Sequence, residues 1–194
     1  MRKVNIELYQ FKELSEEAQK RVIENMQEDD SFLMYDWYSW VYDEFKSKMY
    51  QKYMCNVNDI YFTGFWSQGD GASFSGYVII EEYLKATKQI SKYANLRKYL
   101  EQYTPSVDIR QSGNYYHSNT MSFYDEDFTE ATEKQQDQLY KIMDEIEEVM
   151  KQEADDLYRE LEQEYEYQTS DEAIAEQLIN AEYEFYADGR QPNF

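Results

Sequence analysis

TEATEKQQDQLYKIMDEIEEVMKQEADDLYRELEQEYEYQ, residues 129–168, decides the fold. Leu139, Ile142, Met143, Ile146, Val149, Met150, Leu157, Tyr158, Leu161 and Tyr165 recur in steps of three and four, the spacing that puts side chains on one face of an α-helix. Neither Gly nor Pro interrupts the run. Thr132 with Gln135 has the spacing of a capping box. Each basic residue has an acid four positions earlier: Glu130 before Lys134, Asp137 before Lys141, Glu147 before Lys151 and Asp155 before Arg159. That order contributes ~0.2–0.5 kcal/mol per pair on a helix surface. The expectation is one long, acidic, amphipathic helix.

Working outward, the N-terminal part reads as mixed structure. Lys3 to Phe11 alternates as a half-buried strand. Ser15, followed by Glu16 and Glu17, opens a helix with Ala18, Val22, Ile23 and Met26 inward. Asp36 to Met54 reads as a second helix, its aromatic face (Trp37, Tyr38, Trp40, Phe45) expected to be core. Asn56 to Phe65 and Phe74 to Ile80 read as strands, and WSQGDGAS between them as a hairpin loop. Glu81 to Thr104 reads as one helix stopped by Pro105. Its Lys85, Lys88, Lys92, Arg97 and Lys98 are a natural internal partner for the acidic helix. Ser106 to Tyr124 reads as a second hairpin. After the long helix, Thr169 with Glu172 suggests a capped short helix over 170–182, then a short strand at 183–186 and, within a loose tail over 187–194, a turn at Ala187-Asp188-Gly189. Hairpins without crossovers mean an α+β fold with a mainly antiparallel sheet. With no repeat or Pro/Gly/Ser-rich linker, 1–194 is expected to be one domain, mixed over 1–124 and acidic and helical over 125–186.

The 194 residues carry a net charge of −21, with 42% hydrophobic residues, 21 of the chain's residues being Tyr. That apolar content suffices for a core, and the tyrosines suit half-buried contact faces. Residues 125–184 hold 22 acids and 4 bases, whereas residues 1–124 hold 17 and 14. Gathered negative charge disfavours direct binding to nucleic acid or to anionic membranes, and favours a cationic partner. The one cysteine, Cys55, excludes an intrachain disulfide. There is no signal-peptide core at the N-terminus and no apolar run of membrane-spanning length. A soluble protein of the cytoplasm is expected.

No motif with a defined mechanism appears, so no catalytic residue is assigned and a non-enzyme is expected. Asp125-Glu126-Asp127 lacks EF-hand spacing and reads as an acidic helix start. His117 and Cys55 are the sole members of their types and make a poor nucleophile–base pair. No metal or cofactor is expected. Two surfaces remain as candidates. Trp66, Ser67, Gln68, Gly69, Asp70, Gly71 and Ser73 form either a tight turn with Trp66 over the core, or a ligand grip with aromatic walls and inward amides. Asp144, Glu145, Glu148, Asp155, Asp156, Glu160, Glu162, Glu164 and Glu166 form either a solvated face or a partner surface, dense enough to imitate nucleic acid only with help from neighbouring acids. The acids crowding the helix C-terminus oppose its dipole, a conflict of the sort found at functional sites.

YQFKELSEEAQKRVIE (9–24), FTGFWSQGDGASFSG (62–76) and AEYEFYADGR (181–190) resemble segments of small acidic proteins encoded by bacteriophages and prophages, some described as antitoxin-like. The resemblance implies a phage accessory protein that binds a host protein, of a defence system or nucleic-acid-binding, and blocks it. It carries over no site residue. The alternatives are a nucleotide- or small-ligand-sequestering protein using the Trp66–Phe74 loop, and a partner of one cognate toxin. The apolar stripe of the long helix either packs internally or pairs between chains in a homo-oligomer.

Overall fold

The computed structural model describes residues 6–29, 33 and 36–192. The chain divides into two compact units, Ser39–Glu162 and the combined Met1–Tyr38 and Gln163–Phe194.

The larger unit is built on a four-stranded antiparallel sheet. Its strands are β2 (Cys55–Phe62), β3 (Ala72–Ile79), β4 (Ser106–Gln111) and β5 (Met121–Glu126), in that order across the sheet. Here β1 is the short Tyr9–Gln10 strand of the other unit. The α+β class with an antiparallel sheet of hairpins is therefore observed. One sheet face is core: Phe74, Val78, Val107 and Ile109 are buried, while Tyr77, Asp108 and Arg110 alternate to the other side, the pattern of a sheet with one wet face. Gly76 is required by close packing between strands, since a Cβ there would lie 2.1 Å from the Asn56 carbonyl oxygen. The register shifts beside it, between Val57 and Asp59.

The helix α2 (Ser39–Tyr53) buries Val41, Phe45, Met49 and Tyr53. Phe45 meets Phe74 edge-on at 5.4 Å. Trp40, expected inside, is half exposed, and Trp37 and Tyr38 precede the helix. The expected single helix after β3 is three pieces: α3 (Ile80–Ala86), a 3-10 segment (Ile90–Leu96) and α4 (Arg97–Tyr103). Lys88 adopts φ +59 and breaks the ladder without a Gly or Pro to announce it. Thr104 closes α4 in the left-handed conformation ahead of Pro105.

The dominant helix is α5 (Glu133–Gln168), 36 residues, about 54 Å at 1.5 Å per residue. It begins later than expected, so Asp125 and Glu126 end β5 instead of opening the helix, and Asp127 takes φ +64. At its start Gln135 Oε1 accepts from the Thr132 amide at 3.0 Å, while the Thr132 hydroxyl donates to the same oxygen at 2.9 Å. Only half of the expected box forms. Leu139, Ile142, Ile146, Met150, Ala154, Leu157 and Leu161 are buried. Burying each large member contributes about 1.5–3 kcal/mol, which holds the helix far more strongly than its surface ion pairs.

The smaller unit pairs β1 with β6 (Glu184–Phe185) antiparallel and packs α1 (Glu16–Gln27) with α6 (Asp171–Asn180). Only residues 9–10 of the expected first strand are strand, and its residues 3–5 lie outside the described residues. The core is Phe11, Leu14, Ala18, Val22, Ile174, Leu178 and Phe185. Ser15 caps α1 as expected, and Ser170, not Thr169, caps α6 through the Ala173 amide. The turn expected at Ala187-Asp188-Gly189 forms and is closed by Arg190, expected in the loose tail, and a Cβ on Gly189 (φ +88) would lie 2.9 Å from Val22.

Candidate functional site

Two features of the larger unit carry chemistry, the outer face of α5 and the loop between β2 and β3. At 100° per residue, Glu133, Asp137, Asp144, Glu148, Asp155 and Glu162 fall within about 60° of arc, roughly opposite the buried stripe. All but the half-buried Glu162 are exposed, and none of the six forms an ion pair among the described residues. Their span is about 44 Å. Lys151 falls in the same arc but is held by Glu147 at 2.6 Å.

The other acids expected on this surface are used otherwise. Asp156, not Asp155, pairs with Arg159, at 2.5 Å. Glu160 takes Lys48 at 3.1 Å. Glu145 accepts from the Tyr93 hydroxyl at 3.5 Å. Glu164 and Glu166 lie in the smaller unit, where Glu164 accepts from Gln168 at 2.6 Å. The helix runs on to Gln168, so of the acids from Glu160 onward only Glu166 falls in its last turn. The dipole conflict reaches no further than that turn, and the functional argument drawn from it loses most of its force.

The internal cations come from α2. Glu153, 5% exposed, accepts from the Tyr53 hydroxyl at 2.6 Å and from Lys52 at 2.8 Å, and Lys48 lies 3.1 Å from its second oxygen. Burial opposes its charge, but the hydrogen bonds from Lys52, Tyr53 and Lys48 outweigh burial and hold its carboxyl below the ordinary value. Against burial, Glu160 and Glu153 likewise raise Lys48, and Glu153 raises Lys52. The basic residues after β3, expected to face α5, pair locally instead: Lys85 with Glu81 and Arg97 with Glu101. Beside Glu153 a cleft of about 530 Å³ opens between Lys52 and Tyr53, Ser118 and Asn119, and the α5 residues Glu148, Gln152 and Asp155. Among the described residues no group of three His, Cys, Asp or Glu side chains is arranged to hold a metal ion. No helix among the described residues is long and apolar enough to cross a membrane.

The loop residues are brought together, but not as a grip. The Asp70 carboxylate accepts from the Trp66 and Ser67 amides at 3.0 and 2.7 Å, so the loop's own acid takes the donors a ligand would use. Gly69 (φ +100) sits under Tyr115, whose ring a Cβ would meet at 2.6 Å, and a Cβ on Gly71 would lie 2.5 Å from the Tyr116 carbonyl oxygen. Both glycines serve close approach to the 112–120 loop. Ser67 and Gln68 are exposed, and Ser73 is fully buried, donating to Gln111 at 2.6 Å away from any ligand position. Trp66 is 76% exposed and does not cover the core.

A family model for a domain of unknown function, DUF8835, matches residues 37–171. The chain belongs to that family. The DUF8835 match contains the whole of the larger unit, and with it both the aromatic loop and the acidic arc of α5. No curated protein and no solved structure matches the chain.

Sequence pattern pointed to the loop and to four members of the arc, Asp144, Glu148, Asp155 and Glu162, and missed Glu133, Asp137 and Glu153. A signal for it existed: Glu153 interrupts the apolar arc of α5 between Met150 and Leu157, and Lys48 and Lys52 are spaced i,i+4 beside the buried Phe45, Met49 and Tyr53.

Proposed function

We propose that this protein is a non-catalytic binding protein that engages a basic partner through the outer face of α5. The observation that carries the reading is the line of six acids over about 44 Å, none paired with a cation among the described residues. Such a row raises the local concentration of a cationic partner and speeds its association. The likeness to phage-encoded acidic proteins supports a host protein of the same cell as the target, of a defence system or nucleic-acid-binding, with inhibition as the outcome. A cognate toxin with a basic surface fits the same chemistry. Literal imitation of a duplex is the weaker form: six acids over 44 Å is one per ~7 Å, against one charge per ~1.7 Å in DNA. A small-ligand role for the Trp66–Phe74 loop is disfavoured because Asp70 already occupies its amides.

The test compares capture of host proteins by the wild type, by Asp144→Asn/Glu148→Gln/Asp155→Asn, and by a control with equal charge removed from α1, Glu16→Gln/Glu24→Gln/Glu28→Gln. The partner is identified and the affinity re-measured with purified components at low and high salt. Loss in the α5 variant alone, with strong salt dependence, is expected. Equal binding by all three proteins sinks the reading.

A further inference from the structure

Trp66 has 76% of its surface exposed, on a loop whose backbone is tied down. Asp70 bonds its amide, the Phe65 ring meets it edge-on at 5.9 Å, and Gly69 is pinned under Tyr115. A large side chain fixed in an exposed position loses little conformational entropy on binding, the property of tryptophans that dominate interfaces. The neighbourhood specifies what it meets. Phe65 lies 5.5 Å from Tyr158 of α5, and the Tyr158 hydroxyl donates to the Gly64 carbonyl at 3.3 Å. Tyr158 stands three residues after Asp155 and four before Glu162, so it shares their side of the helix. The loop thus abuts the C-terminal end of the acidic arc, where burial, and after it the nearby charges of Glu162 and Asp70, push the Tyr158 hydroxyl up.

We infer that Trp66 is the aromatic anchor of the interface, and that it receives an arginine or lysine side chain of a basic protein segment, laid on the indole face with Asp70 and Glu162 beside it. An indole is the best aromatic host for such a cation, and carboxylates at its edge complete the charge. Small neutral ligands lack that charge, and polyanions are repelled by it. This inference rests on the reading of α5 as a cationic-partner surface.

The probe is a ten-residue arginine peptide, titrated by calorimetry into the full chain at low salt. Trp66→Ala is expected to weaken binding about threefold to thirtyfold, with Trp66→Phe intermediate. Trp40→Ala, at the half-exposed tryptophan of α2, is expected to leave it unchanged. The slope of affinity against salt stays that of the wild type in Trp66→Ala, because no charge is removed. Wild-type affinity in Trp66→Ala overturns the anchor. If the Asp144/Glu148/Asp155 variant still weakens binding, the α5 reading survives that result, and if it too binds normally, both fall. Equal unfolding midpoints of wild type and Trp66→Ala exclude a folding effect.

Discussion

Glu153→Gln tests the internal electrostatics most directly. The amide keeps an acceptor for the Tyr53 hydroxyl but removes the charge facing Lys48 and Lys52. A hydrogen bond to a charged group contributes ~1.5–3 kcal/mol when well buried. Here the side chains of Lys52 and Lys48 are 57% and 31% exposed, so each ammonium regains solvation when the carboxylate is lost, and exposed pairs contribute only ~0.2–1 kcal/mol. Lys48 also retains Glu160. The expected destabilisation is therefore about 1–2 kcal/mol, well short of the ~3–5 kcal/mol of stranding a dry charge.

The pH dependence carries the sign. The folded carboxyl titrates below its ordinary value of 4.5. Its contribution is fully present above that value and disappears as pH falls through the folded one. In urea titrations the gap between wild type and Glu153→Gln should be complete at pH 7 and narrow progressively as the pH falls below 4.5. Adding Lys52→Met to Glu153→Gln should cost less than Lys52→Met alone in the wild type. A variant as stable as wild type at pH 7, or a gap that stays constant on acidification, would refute the assignment of a charged, hydrogen-bonded Glu153.

Gly76→Ala forces a methyl to 2.1 Å from the Asn56 carbonyl; strands β2 and β3 cannot both keep their register, and a loss of ~3 kcal/mol or more should appear as a collapsed melting midpoint. Burial pushes the Cys55 thiol up to about 12, so a thiol reagent should leave it unmodified at neutral pH until urea unfolds the larger unit. Ser170→Ala removes the cap that accepts from Ala173 and should cost the smaller unit ~1 kcal/mol, read as a lowered urea midpoint for that unit.

The legible parts of the fold are those where one period runs unbroken. In α5, Leu139 to Leu161 keep helical spacing, and β3 and β4 alternate cleanly. The segment after β3 misleads because Tyr83 and Ile90 lie seven residues apart, the length of two helical turns, and Ile90, Tyr93, Leu96, Tyr99 and Leu100 then follow in steps of three and four, so the pattern bridges a break made by Lys88, a residue with no turn signature. At the loop, Gly69 and Gly71 were visible as special, but their reason is long-range. Tyr115 and Tyr116, more than forty residues away, come down on them. The tight-turn alternative puts Trp66 over the core because a tryptophan beside a tight turn usually has somewhere to tuck. Here Phe65 takes the inner position against Phe62 and Tyr158, leaving Trp66 outside. Among 40 acids, the partner of Lys48 and Lys52 could be picked out only by asking which one sits on the wrong side of its helix.

The same reasoning separates a solvating face from a recognition face on α5. Solvation needs polarity, and the helix has glutamines available for it at 135, 136, 138, 152 and 163. The outer arc instead sets Glu133 one turn before Asp137, and Asp144 one turn before Glu148. Like charges at i,i+4 cost a helix ~0.2–0.5 kcal/mol per pair. Neutralising one such pair should then do two opposite things. Asp144→Asn/Glu148→Gln should raise the stability of the larger unit by a few tenths of a kcal/mol, most visibly at low salt where the repulsion is unscreened, while weakening capture of a cationic partner. Charge kept at a cost to stability is what a binding surface leaves behind. If the neutral variant is more stable and still captures its partner with wild-type affinity, the arc only solvates. If it is less stable, the repulsion never existed, and the positions of these carboxylates have another cause.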